Sequence, residues 1–120
     1  MNKMKLKDFK SKSNKIDLVH PEMGETGAWI EIRSVRCKEY LSKLSELDRR
    51  DGDEKPTFED NLNDTSELTA TLVVAWDEEF FDQPFSYDAC VEMFKDTENG
   101  WIRVAVNKAQ DDQTCFFIKS

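Results

Sequence analysis

The sequence predicts an α+β fold: a small N-terminal antiparallel β element followed by about four helices packed as a compact, mainly helical domain. Three observations carry that reading. "KIDLVH" and "AWIEIRS" each alternate apolar and polar residues, and "PEMGETG" between them supplies Pro21, Gly24 and Gly27 as turn punctuation. From Ser34 onward, apolar residues recur at spacings of three and four in several segments. A chain of 120 residues is the length of one domain that can fold without disulfides or metal.

Residues 1–15 form a basic arm, read as solvated and partly flexible. Six lysines against Asp8 and Asp17 put about +4 in residues 1–17, whereas the net charge of −8 leaves about −12 on the rest. The functional alternative for the arm is docking on an acidic surface of a neighbouring subunit. Residues 16–120 form the single α+β domain. Its connection between "KIDLVH" and "AWIEIRS" reads as longer than a tight hairpin, so pairing is expected with the register open.

Ser34 is a candidate N-cap. Cys37, Tyr40, Leu41, Leu44 and Leu47 then fall on one helical face, with charged residues elsewhere. This amphipathic helix ends near "DRRDGDEKP", where Gly52 stops it and Pro56 forbids continuation. Residues 51–64, polar and acidic with only Phe58 and Leu62 to bury, read as a mobile loop. Asp64 and Glu67 suit a second helix start, with Leu68, Leu72, Ala75 and Trp76 on one face, so residues 68–76 read as helix. The β-branched density of "TATLVV" argues for a strand there instead. Ser86 caps a third helix over residues 86–96, with Ala89, Cys90, Met93 and Phe94 inward. Asn99 caps a fourth, with Trp101, Ile102, Ala105, Val106 and Ala109 as its stripe. The tail "QTCFFIKS" is either a docked terminal strand or an exposed apolar end. The predicted core is Trp29, Leu41, Leu44, Leu72, Trp76, Phe94, Trp101 and Val106.

Composition narrows the function. The acidic balance disfavours nucleic acid and anionic lipid as partners. Cys37, Cys90 and Cys115 are odd in number and widely spaced, which fits neither a disulfide framework nor zinc and suits a reducing cytoplasm. The lysine-rich start lacks the apolar stretch of a signal peptide, and no segment approaches membrane-spanning length, so no membrane association is expected. Asp51, Asp53 and Glu54 lack the ordered alternation of a calcium loop. His20 precedes a proline in a turn with no nucleophile beside it and reads as structural. No glycine-rich phosphate loop, HExxH or CxxC is present, so neither a cofactor nor an enzymatic activity is expected.

The stretch "LVVAWDEEFFDQPFS" holds most of what is unusual. Asp77, Glu78, Glu79 and Asp82 surround Phe80 and Phe81, and Pro84 and Phe85 follow. The acidic residues read as a solvated loop face, since a carboxylate pair needs burial to become catalytic. Phe80, Phe81, Phe85 and the tail's Phe116 and Phe117 either pack over the helix ends or form an apolar patch for self-association or for an aggregation-prone partner.

The order "HPEMGETGAWIEIRSVRCKEY", an acidic loop, "LVVAWDEEFFDQPFSYDACVEMF" and "WIRVAVNKAQDDQTCFF" resembles the tail assembly chaperones of long-tailed bacteriophages, over residues 16–118. In that family, an apolar helix ending in tryptophan precedes a short acidic loop, a proline and aromatic, and a serine-capped helix. The loop after Trp76 lacks the glycine often found there. The resemblance implies a cytoplasmic protein of the infected bacterium that self-associates and coats the tape measure protein until tail tube subunits polymerise around it, and that is absent from the finished tail. It also implies a longer form made by frameshifting. Phe80, Phe81, Phe85, Phe116 and Phe117 are then the expected contact surface. The alternative is an acidic inhibitor or nucleic-acid mimic whose carboxylates occupy a basic site on another protein.

Overall fold

Alternating burial sets the first two elements. The computed structural model describes residues 13–49 and 57–111. Strand β1 (Asn14–His20) pairs antiparallel with β2 (Gly24–Ile32), Asn14 lying opposite Ile32 and His20 opposite Gly24. Leu18, Ala28, Ile30 and Ile32 point into the core. On the other face, the Lys15 ammonium sits 4.2 Å from the centre of the Trp29 ring, and Trp29 is only half-buried.

The turn is shorter than its composition suggested. Strand β2 starts at Gly24, so only Pro21, Glu22 and Met23 connect the strands. His20 explains how: its Nδ1 accepts the backbone N–H of Glu22 and of Met23, both at 3.1 Å. The glycines then follow distinct logic. Gly24, at φ +82°, closes the turn, and Gly27, at φ +78°, lies in a bulge where the β1–β2 register shifts. Thr26 Oγ1 holds that bulge by donating to the Leu18 carbonyl at 2.7 Å and accepting from Ala28 N–H at 3.1 Å.

Helix α1 (Lys38–Arg49) follows a short linker. Ser34 does not cap it directly. Its hydroxyl accepts from Arg36 N–H at 3.2 Å and its carbonyl from Cys37 N–H at 3.0 Å, forming the turn before the helix. The linker is tied to the far end of the chain. Gln110 Oε1 accepts from Val35 N–H at 3.0 Å, and its Nε2 donates to the Arg33 carbonyl at 2.9 Å.

Two expectations are corrected next. Residues 58–64 are not a loop, because helix α2 runs Phe58–Ala70. Thr57 and Asp60 form a reciprocal capping box, each side chain accepting the other's backbone N–H at 3.1 Å, and Glu59 and Asp60 complement the helix dipole. The acidity that suggested a solvated loop is first-turn chemistry; Asp64 is an interior residue, and residues 51–56 lie outside the described residues.

Residues 68–76 are not one helix either. Thr71 ends α2, its hydroxyl donating to the Leu68 carbonyl at 2.6 Å, and β3 (Val73–Trp76) extends the sheet to the order β1-β2-β3. The open edge of β2 decides the matter. Ile30 pairs with Trp76 and Ile32 with Val73, a ladder that suits the β-branched valines. Arg33 N–H prolongs it to the Leu72 carbonyl at 2.8 Å, and Arg33 Nε reaches the Thr71 carbonyl at 2.8 Å.

One-turn helix α3 (Glu78–Phe81), α4 (Tyr87–Lys95) and α5 (Gly100–Asp111) complete the described chain. Ser86 caps α4, accepting from Ala89 N–H at 3.1 Å. Between α4 and α5 lies a short 3₁₀ turn (Thr97–Asn99), capped by Asp96. Asn99 is therefore not the cap of α5; its side-chain amide donates to the Met93 carbonyl at 2.9 Å and closes the end of α4.

The protein is an α+β chain, a three-stranded antiparallel sheet with a mainly helical remainder. The core joins the inner face of the sheet to Ala70, Leu72, Val73 and Trp76, to Cys90, Val91, Met93 and Phe94 of α4, and to Ile102 and Val106 of α5. Leu41 and Leu44 are not in it, at 52% and 38% exposed. Tyr40 of their helix, with Cys37 just before it, packs on the core, and a twelve-residue helix cannot turn the whole of so wide an apolar stripe toward one neighbour. No described helix is long and apolar enough to cross a membrane.

Candidate binding cleft

The segment from Trp76 to Phe85 folds into a closed aromatic cap. Trp76 is 2% exposed, its Nε1 donating to the Gln83 carbonyl at 3.1 Å, which draws the segment back over the indole. Phe81 stacks on that indole with centroids 4.2 Å apart and planes at 14°, and Phe85 meets it edge-on at 5.4 Å. The acidic residues shape the segment. Asp77 Oδ1 accepts from the N–H groups of Glu79 and Phe80 at 3.2 and 3.4 Å, Glu78 and Glu79 occupy the first turn of α3, and Asp82 reverses the chain at φ +59°. A cap, two dipole partners and a reversal are all conformational duties.

Phe80 stands apart. It is 39% exposed, with its ring edge-on to Phe81 at 5.1 Å. It borders an open cleft of about 420 Å³ between α3, the end of α4 and the start of α5. Phe81, Met93, Trp101 and Ile102 supply apolar lining; Glu92, Asp96 and Asn99 supply polar lining. Trp101 is steadied from behind by His20, whose ring meets it at 5.0 Å and 65°. Glu92 is held by Lys95 at 3.4 Å, and Asp96 by the N–H of Glu98 at 3.0 Å. The cleft therefore pairs aromatic and thioether surface with carboxylates.

Of the residues expected to make a contact surface, the structure brings Phe80 and Phe81 to the cleft and turns Phe85 onto Trp76. Phe116 and Phe117 lie outside the described residues, as do residues 1–12 of the basic arm. Of the expected core, Leu72, Trp76, Phe94 and Val106 are buried, and Trp29 and Trp101 are half-buried. Sequence reasoning placed Met93 and Ile102 on helix stripes without seeing that they share a cleft with Phe80. The available signal was their position, at the end of one helix and the beginning of the next.

Burial pushes the Cys90 thiol up to about 12, so it is a neutral core group. Partial burial also raises the Tyr87 phenol, whose hydroxyl donates to the Glu67 carbonyl at 3.1 Å. Among the described residues, no three His, Cys, Asp or Glu side chains are placed to hold a metal ion.

Comparison with protein-family models, with curated proteins and with solved structures finds no match to the chain.

Proposed function

We propose that the chain is a non-enzymatic tail assembly chaperone of a long-tailed bacteriophage, which self-associates and holds the tape measure protein soluble in the host cytoplasm while tail tube subunits assemble. The observation that carries this reading is the cleft beside Phe80. Its apolar lining is suited to the anchor side chains of an amphipathic helical client, and Glu92 and Asp96 are suited to basic residues flanking them. The resemblance supports it through the acidic segment, Pro84, Phe85 and the serine-capped α4. It departs from the family's pattern before Trp76, where a strand takes the place of the helix. The net charge of −8 would keep a loaded complex in solution.

Co-expression with a tape measure protein tests the proposal. The wild-type chain should keep the client in the soluble fraction, and Phe80→Ser combined with Met93→Ser should release it to the pellet. A client as soluble with this variant, shown folded by circular dichroism, sinks the cleft as its site. Salt separates the acidic-inhibitor reading: binding lost steeply as ionic strength rises favours a mimic of nucleic acid, whereas binding through the cleft's apolar lining persists.

A further inference from the structure

The exposed stripe of α1 has a partner of definable chemistry. Leu41 and Leu44 lie outside the core cluster, 52% and 38% exposed, although their helix is amphipathic, whereas Tyr40, and Cys37 just before the helix, pack on the core. Lys38 lies one turn before Leu41 and Asp48 one turn after Leu44, both exposed. The stripe thus reads, along the helix, as a cation, two leucines and an anion.

That order is self-complementary under a two-fold axis. Antiparallel pairing of two α1 helices about a point near residues 42 and 43 sets Leu41 of one copy against Leu44 of the other and Lys38 against Asp48. Parallel pairing would set like charges together. We infer that α1 is the self-association surface of this chain, its occupant the α1 helix of a second copy in antiparallel register. The inference rests on the self-association half of the proposed function and assigns it to a surface other than the cleft. The helix is about 18 Å long, so this contact alone falls short of a standard interface and gives a weak, concentration-dependent dimer.

Sedimentation or light scattering across a concentration series provides the test. The wild-type chain should pass from monomer to dimer as concentration rises. Leu41→Glu with Leu44→Glu should weaken the dimer by more than about tenfold, with an unchanged circular dichroism spectrum because neither leucine is in the core. At low salt, Lys38→Glu should weaken it about fivefold, and Lys38→Glu with Asp48→Lys should restore it. A dimer indifferent to both leucine substitutions overturns the surface, and one indifferent to Lys38→Glu overturns the antiparallel register. A wild-type chain that stays monomeric up to its solubility limit overturns this inference and the self-association half of the proposed function together. The client-solubility assay reports independently on the other half. Phe80→Ser serves as the control: it should leave the dimer unchanged, and loss of the dimer in that variant would move the interface to the cleft and overturn α1.

Discussion

Asp82 takes a left-handed backbone, φ +59°, at the end of α3, where a side chain other than glycine is disfavoured. Replacing it with glycine removes that strain, which outweighs the opposing cost of a more flexible unfolded chain, so Asp82→Gly should stabilise the protein by up to about 1 kcal/mol, read as a higher urea midpoint. A lower midpoint would mean that the Asp82 carboxylate makes a contact worth more than the strain. Cys90 acts through protonation instead. Its thiol is held neutral to about 12 in the folded chain against an ordinary value of 9.0, so the unfolded state loses its proton first as pH rises. Stability contributed by the buried thiol is intact below pH 9 and falls from there toward 12, at roughly 1 kcal/mol per pH unit. Cys90→Ala should be less stable at pH 7 because it leaves a cavity, yet lose stability less steeply above pH 9. Equal slopes for the two proteins would show that Cys90 does not set the alkaline limit.

At the scale of elements, Phe80 and Phe81 are neighbours with opposite duties. Phe81 is stacked on the Trp76 indole and belongs to the fold, whereas Phe80 faces the cleft. Phe81→Ser should cost about 2 kcal/mol or more in thermal or denaturant unfolding, and Phe80→Ser should stay within about 0.5 kcal/mol of wild type. Equal losses would show that the whole turn is structural and leave the cleft without a free aromatic wall. This division could not be seen in "DEEFFDQPF", because it depends on which ring meets an indole that arrives on a strand. The alternation around "PEMGETG" and the serine cap of α4 were legible, since period and capping are local chemistry. Helix α2 was legible only from Asp64 onward, and strand β3 only as the alternative to a helix. The capping box uses Asp60 where glutamate is the usual signal, and β3 is a strand because β2 offers it an edge, a fact of tertiary structure. Gln110 was missed for the same reason. Its two hydrogen bonds reach residues 33 and 35, more than seventy positions earlier in the chain.

Across the whole molecule, stability is distributed unevenly. Strands β2 and β3 are hydrogen-bonded neighbours although both α1 and α2 lie between them in the chain, and Gln110 of α5 fastens the linker that follows β2. Sheet, α4 and α5 thereby form one cooperative body with Trp76 at its centre. Helix α1 is an excursion from it. None of its residues with a described side chain is fully buried; Tyr40 packs on the core, and ion pairs from Lys43 to Glu67 at 3.9 Å and from Arg33 to Glu39 at 3.4 Å tie the helix to α2 and to the linker after β2. Exposed pairs of this kind contribute about 1 kcal/mol or less each. Native-state hydrogen exchange should therefore show the amides of α1 opening locally, well below the free energy at which β2, α4 and α5 exchange together. Protection of α1 equal to that of α4 in dilute solution would mean that the helix is integral to the core body. The concentration dependence carries further information: pairing of α1 with a second copy should raise its protection selectively, leaving the exchange of β2 unchanged.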